Sequence, residues 1–175
     1  MAKLNFSITP KFLRPEILMH PQIPKPMHGT APRTVLGQSW WDIQRRSAYT
    51  INNFCCWACG VHRSKAKYNQ WLEGHESYTI DYKKGLMTLV EIIALCHCCH
   101  NYIHKGRLEH LLEKDEISIK KYTTIIDHGN AIKRNVPIKL PTVIQQDFSA
   151  WRLVINGIHY KGQFKTYREW EQHYE

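Results

Sequence analysis

Two cysteine pairs with the same spacing constrain this chain more than any other feature. Cys56 and Cys59 form one C-x-x-C turn, and Cys96 and Cys99 form a second. Two intervening residues make a tight turn that directs both sulfurs at one point, and two such turns complete a tetrahedral zinc site. A single C-x-x-C is also the spacing of a redox pair, but two pairs favour zinc. We therefore predict that these four cysteines hold one structural zinc ion.

Two further cysteines, Cys55 and Cys98, leave the register of the site open. The set given above is preferred because only these four residues give a two-residue spacing on both sides. The competing interpretation is a different ligand set, or thiols that bind no metal. The segment between the two pairs is longer than the simple zinc-finger pattern and has room for a hairpin.

The charge of the chain points to a polyanionic partner. A formal net charge of +9 and a pI near 9.3 are high for a chain of 175 residues, and nucleic acid is the usual partner of such a protein. The alternative is a basic protein with no such partner. The sequence begins without a continuous apolar run and has no stretch of membrane-spanning length. Closely paired cysteines suit a reducing compartment, so we expect a cytoplasmic protein that does not enter membranes.

The local patterns predict a mixture of helices and hairpins. Prolines rule out a central strand or a long helix in residues 1–33, which are predicted to form an extended arm. A helix is predicted over 38–50, with Ser39 as its N-cap. A hairpin is predicted over 68–90, with its turn at Lys83-Lys84-Gly85, and a helix from His100 onward.

The rest of the chain is predicted in the same way. Apolar residues recur at helical spacing over 117–134, where Gly129 is expected to end or bend the helix. Pro137 and Pro141 indicate a linker. Asn156-Gly157 suits a type I′ turn and predicts a hairpin over 151–162, and Thr166 is expected to cap a last short helix. The predicted organisation is an arm (1–33), a central domain (34–135) and a C-terminal hairpin with a short helix (136–175).

The central segment, roughly 54–107, resembles the HNH endonucleases, also called ββα-metal nucleases. In their zinc-bearing members a C-x-x-C precedes a hairpin that carries a histidine, and a second C-x-x-C followed by histidine opens a helix. The matching residues here are Cys56-Trp57-Ala58-Cys59, His75 and Leu95-Cys96-His97-Cys98-Cys99-His100. A weaker likeness to uncharacterised phage and bacterial HNH-like proteins extends over Pro32-Arg33, Trp40-Trp41 and the C-terminal hairpin.

The resemblance implies an α+β fold with a zinc-closed ββα-metal core and metal-dependent hydrolysis of DNA phosphodiester bonds, in the cytoplasm of a bacterial or phage-infected cell. His75 matches the general base that deprotonates the attacking water, a role that suits a side chain titrating near neutral pH. His100 matches a ligand of the catalytic divalent metal, such as Mg²⁺ or Mn²⁺. His104, four residues later, shares a helical face with His100 and resembles the second ligand of colicin-type members.

One departure from the family pattern leaves the assignment of the base open. The family usually has Asp or His as a metal ligand just before the hairpin histidine, where this chain has Gly74. If the pattern is shifted by one residue, His75 becomes the ligand and Glu76 the base. Glu73 and Asp81 are more remote candidates. Loss of the ligand at position 74 is also compatible with a catalytically inactive, zinc-stabilised DNA-binding module, or with a phage structural or assembly protein.

Basic residues near these motifs are candidates for phosphate contacts. Arg45 and Arg46 lie on the predicted helix before the first cysteine pair, and Lys105 and Arg107 follow His104. A solvated basic face is the simpler interpretation of the same residues.

Overall fold

The protein has a mixed α+β fold, described by a computed structural model for residues 8–133 and 144–174. The helices are α1 (Pro32–Leu36), α2 (Gln38–Ile51), α3 (His97–Ile103), α4 (Lys105–Glu113), α5 (Ile119–Ile132) and α6 (Tyr167–Tyr174). The strands are β1 (Glu73–Asp81), β2 (Leu86–Leu95), β3 (Arg152–Ile155) and β4 (Ile158–Lys161). Within these residues, no helix is long and apolar enough to cross a membrane.

The described chain divides into two compact units. One contains residues 8–19, 45–75 and 93–133, and so carries both cysteine pairs and His75, His100 and His104. The other contains residues 20–44, 76–92 and 144–174. The predicted linker around Pro137 and Pro141 lies outside the described residues. The boundaries predicted from the sequence, at 33/34 and 135/136, remain predictions.

The N-terminal arm is less extended than its prolines suggested. Short 3₁₀ turns interrupt it at Pro15–Met19 and Lys25–Met27, and α1 begins at Pro32. Proline fits the first position of a helical turn because its backbone lacks the N–H that would be unpaired there. Within the cysteine-bearing unit, the backbone amides of Lys11 and Phe12 donate to Oδ1 of the buried Asn52 at 2.7 and 3.1 Å.

Helix α2 confirms the predicted helix but not its N-cap. It begins at Gln38, so Ser39 lies inside the first turn. The amide of Trp41 donates to the carbonyl of Gly37. In its second half, the carbonyl of Ala48 accepts a hydrogen bond of 3.0 Å from the indole of Trp57, which joins the helix to the first cysteine pair.

The predicted hairpin is β1 and β2, with the turn at Lys83-Lys84-Gly85 in the expected place. Gly85 has φ +71°, a conformation that glycine adopts without steric cost. Asp81 accepts the backbone amide of Lys84 in this turn, which gives that carboxylate a structural role. Strand β2 continues to Leu95, where four consecutive buried residues, from Ile92 to Leu95, lead into the second cysteine pair.

Helix α3 begins three residues before the expected start at His100. Cys96 is its N-cap, so the second cysteine pair itself forms the first turn of the helix. His104 interrupts the helix with φ −90° and ψ 42°, and α4 follows at once. The hydrogen bond from the amide of His104 to the carbonyl of His100 is kept at 3.3 Å, so the two residues stay one turn apart.

The second unit is built on a strand pairing that the sequence did not predict. The predicted C-terminal hairpin is β3 and β4, with Asn156 and Gly157 at φ +50° and +78° in the turn. Strand β3 pairs in parallel with the first residues of β2, which gives a four-stranded sheet in the order β1-β2-β3-β4. Trp151 is fully buried in the core of this unit, and Thr166 caps α6 by accepting the amide of Glu169.

Helix α5 packs closely on α3 through a glycine. The helix runs through Gly129 to Ile132, so this residue does not end it. A Cβ atom at Gly129 would overlap the ring of Tyr102. The hydroxyl of Tyr102 donates to Oδ1 of Asn130 at 2.8 Å and fixes the ring over the glycine. The glycine is therefore needed for the close approach of the two helices.

For Gly129→Ala, this packing predicts a loss of stability, whereas helix propensity alone would predict a gain. At an exposed position inside a helix, alanine is more favourable than glycine by about 1 kcal/mol. Gly129→Ala should nevertheless lower the free energy of unfolding by about 1–3 kcal/mol, because the added methyl overpacks the contact with Tyr102. Gly106→Ala on α4 is the matched control, since a Cβ there meets nothing within 4 Å. Denaturant unfolding of both variants tests this; a stabilised Gly129→Ala would contradict it.

Candidate metal centre and histidine cluster

The four predicted cysteines form one cluster. The sulfurs of Cys56, Cys59, Cys96 and Cys99 all lie within 4.8 Å of one another, and three of the four residues are buried. The sulfurs of Cys59 and Cys96 are 3.7 Å apart. A tetrahedral zinc with Zn–S bonds of 2.3 Å requires sulfurs separated by about 3.8 Å. The cluster is therefore compatible with one structural zinc ion, and its register is the one with two-residue spacing.

The chemistry of the thiols also fits a bound cation. Hydrogen bonds from the neighbouring cysteines lower the pKa of Cys96, which is the direction that favours a metal-binding thiolate. Hydrogen bonding with Cys56 and Cys96 raises the pKa of both Cys59 and Cys99, because it stabilises their protonated form. Four sulfurs held this close favour a divalent cation, which would stabilise all of them as thiolates.

The two spare cysteines lie outside this cluster. Cys55 and Cys98 are buried, and neither belongs to the four-cysteine cluster. Burial raises the pKa of Cys55, and burial raises the pKa of Cys98 to about 11, so both behave as neutral, apolar thiols.

Backbone hydrogen bonds shape the first cysteine turn. The amide of Gly60 donates to the carbonyl of Cys56 at 2.9 Å, and Gly60 has φ +76°. The amide of Cys56 donates to Val61, and the amide of Trp57 donates to Ala94 at the end of β2, both at 2.9 Å. The second contact ties the first turn to the strand that leads into the second turn.

One residue beside the cluster had no local signal in the sequence. Nε2 of His128, on α5, lies 3.4 Å from the sulfur of Cys99 and 4.0 Å from that of Cys96. A ring N–H at this position can donate to a thiolate, as partners of metal ligands commonly do. Only the tertiary packing of α5 on α3 brings it there.

Three histidines form a second cluster directly after the cysteines. One ring nitrogen from each of His75, His100 and His104 lies within 4.8 Å of the others. The ring centroids are 4.8 Å apart for His100 and His104, and 4.9 Å for His75 and His104. His75 is buried, His100 is partly buried and His104 is exposed, so the cluster reaches from the interior to solvent. Three convergent imidazoles are a ligand set that suits divalent transition metals.

Secondary structure explains this convergence. His100 follows Cys99 in α3, and His104 lies one turn later. His75 projects from β1, one residue beyond Gly74. The structure brings together the three histidines that the resemblance grouped, at distances that the sequence did not predict.

Glu73 links this cluster to its surroundings. Its two carboxylate oxygens lie 2.9 Å from Nδ1 of His97 and 2.7 Å from Nδ1 of His100. Burial alone would raise the pKa of Glu73, but hydrogen bonding and charge from His100 and His97 outweigh it and hold that pKa well below its ordinary range. A carboxylate that accepts from Nδ1 orients an imidazole and leaves its other nitrogen for a ligand. Glu73 was only a remote candidate in the sequence, although it shares a strand face with His75.

The remaining predicted site residues, Glu76 and the four basic residues, are not members of the histidine cluster. Glu76 follows His75 in β1, so its side chain leaves the strand on the opposite face. Arg46 and Arg107 are exposed, and Arg45 is half-buried. Lys105 is exposed and pairs with Glu109 at 3.5 Å.

No protein-family model matches the chain, and neither curated proteins nor solved structures give a significant match.

The cysteine cluster yields a direct test of its ligand set. Cys99→Ser should lose the bound zinc and the cooperative unfolding transition, because metal binding and folding are coupled in such sites. Cys98→Ala, a change at the adjacent buried cysteine outside the cluster, should keep both. Zinc content by elemental analysis and thermal unfolding measure the two effects. Absence of zinc from the unmutated protein, or its loss only in Cys98→Ala, would contradict the assignment.

Proposed function

We propose that the protein is a metal-dependent endonuclease of the HNH type that hydrolyses phosphodiester bonds in DNA. The observation that carries the proposal is the convergence of His75, His100 and His104, whose ring nitrogens lie within 4.8 Å of one another. The order of elements supports it, since β1, β2 and α3 follow one another as strand, strand and helix. We propose that this succession is a ββα-metal core.

In this proposal, His100 and His104 hold a divalent cation such as Mg²⁺ or Mn²⁺. Oε2 of Glu73 lies 2.7 Å from Nδ1 of His100, a contact that can orient this ring for a metal at Nε2. A divalent cation at this position stabilises negative charge on the scissile phosphate and on the leaving oxygen. The exposure of His104 leaves the cation accessible to a phosphate group from solvent.

We assign His75 as the general base that takes a proton from the attacking water. A neutral imidazole near a bound cation can accept this proton. Its proximity to the two proposed ligands also suits the alternative, in which His75 is itself a third ligand. Glu76 is the base in that alternative, but its place on the other face of β1 makes it the weaker choice. The two assignments differ in what loss of His75 does to metal affinity.

The charge of the chain supports DNA as the substrate. With a net charge of +9, the protein attracts a polyanion. Exposed Arg46 and Arg107 are available for phosphate contacts, and Lys105 lies one residue beyond His104. Gly74 supports the rival proposal, a protein that binds DNA without cutting it, because it supplies no ligand where the family has one.

Plasmid cleavage separates these possibilities. The unmutated protein should nick or cut plasmid DNA with Mg²⁺, Mn²⁺ or Ni²⁺, and excess chelator should stop it. His75→Ala should lower the rate by about 100-fold or more, because a general base contributes that much to the transition state. It should leave zinc content, folding and DNA binding unchanged. His100→Ala should instead weaken the catalytic metal, so that high Mn²⁺ partly restores cleavage.

His110→Ala on α4 is the matched control, because this exposed histidine lies outside the cluster. It should cut at the rate of the unmutated protein. A His75→Ala variant that cuts equally fast rejects our role for His75, and a loss of metal affinity in that variant supports its role as a ligand. Binding of DNA without metal-dependent cleavage supports the inactive binding module.

Binding should be dominated by phosphate contacts. The logarithm of the affinity for duplex DNA should fall by about 0.9 for each tenfold rise in salt and for each phosphate neutralised. Arg46→Ala and Arg107→Ala should each lower this slope if they contact phosphate. Fluorescence anisotropy across a salt series measures it. An affinity that does not depend on salt would remove the phosphate backbone as the main contact.

A further inference from the structure

Two exposed aromatic side chains lie in the loop that leads into the histidine cluster. Tyr68 and Trp71, three residues apart, keep 48% and 57% of their surface exposed. We propose that they form a base-stacking platform for unpaired DNA, so that the substrate presents single-stranded or locally opened bases beside the cluster. The proposal rests on the proposed nuclease function for its choice of DNA, but it concerns binding and not cleavage.

The first support is the exposure of these rings. Tryptophan and tyrosine usually bury most of their large apolar surface, and an exposed aromatic pair in one short loop is a feature of binding surfaces. Tyrosine and tryptophan rings have flat faces, and every nucleobase stacks on such a face without regard to its identity. An exposed leucine or isoleucine pair would lack this property.

The second support is the fixed backbone of the loop. Tyr68 has φ +69°, which is uncommon for a residue other than glycine and is kept where surrounding contacts hold it. The next residue supplies such contacts, since its backbone amide donates to the carbonyl of Lys67 at 2.9 Å. The side-chain amide of Asn69 donates to Oε1 of Glu73 at 3.4 Å. The loop is thus held in the conformation that presents Tyr68.

The third support is a continuous set of contacts from Tyr68 to the histidine cluster. The rings of Tyr68 and His97 pack edge to face, with centroids 5.7 Å apart. His97 lies 2.9 Å from Glu73, and Glu73 lies 2.7 Å from His100. Two side chains, His97 and Glu73, therefore connect Tyr68 with the proposed metal ligand His100.

The positive charge around Tyr68 and Trp71 favours a nucleic-acid strand as the bound partner. Residues 61–72 contain Arg63, Lys65 and Lys67 and no acidic residue. From α5, Nζ of Lys121 lies 5.2 Å from the centre of the Tyr68 ring. Stacking rings between cations suit a strand that offers bases and phosphates together. Paired bases in a duplex are stacked on one another and do not offer their faces, so the platform selects unpaired strands.

Equilibrium binding of a labelled single strand and of a duplex of the same length tests the proposal. Ca²⁺ replaces the catalytic metal, so that no cleavage occurs, and moderate salt weakens phosphate contacts. Trp71→Ala and Tyr68→Ala should each weaken single-strand binding by about tenfold, the loss typical of one base–aromatic stack, and change duplex binding far less. Trp71→Phe and Tyr68→Phe should restore single-strand binding, because they keep an aromatic face.

Tyr174→Ala is the matched control, because Tyr174 is 52% exposed on α6 and lies outside the loop. It should bind both DNA forms as the unmutated protein does. Equal losses for single strand and duplex, or no loss in either alanine variant, would overturn the platform. Failure of the two proposals is distinguishable. Metal-dependent plasmid cleavage with unchanged single-strand binding in both alanine variants rejects the platform alone, whereas aromatic-dependent single-strand binding without any cleavage rejects the nuclease alone.

Discussion

The close approach of four sulfurs is the constraint on which the site depends. Cys56 and Cys59 come from a loop after α2, whereas Cys96 and Cys99 form the first turn of α3. Sulfurs 3.7 Å apart in a buried cluster favour a shared divalent cation over four independent thiols. Because Cys96 caps α3, the same cluster determines where His100 and His104 lie. The cysteine cluster thereby lies at the start of the helix that carries the proposed catalytic ligands.

Neighbouring side chains contact both the histidine cluster and the cysteine cluster. Glu73 contacts both His97 and His100, and Asn69 joins the preceding loop to the same carboxylate. On the other side, His128 of α5 lies beside the sulfur of Cys99, at a helix contact that Gly129 makes possible. The two clusters therefore share one helix and one set of neighbours, so loss of the cysteine cluster should also disturb the histidines.

Local spacing predicted much of this arrangement, and long-range packing accounts for the rest. The cysteine register, both hairpin turns and the helix of α5 follow from two-residue spacing, turn glycines and helical periodicity. Ser39 was wrong as the N-cap because the helix begins at Gln38, which places Ser39 inside its first turn. The parallel pairing of β2 with β3, and the place of His128, involve residues far apart in sequence that no local pattern connects. Glu73 was underrated because its partners, His97 and His100, belong to another element.

Anomalous diffraction from crystals of the zinc-loaded protein soaked in Mn²⁺ tests the central claim most directly. Data collected at the zinc and manganese edges identify each metal where it binds. The account predicts a zinc peak at the centre of the four cysteine sulfurs and a separate manganese peak bound by His100 and His104, beside His75. Zinc among the cysteines with no manganese at the histidines would contradict the proposed catalytic site, and no zinc among the cysteines would contradict the basis of the fold.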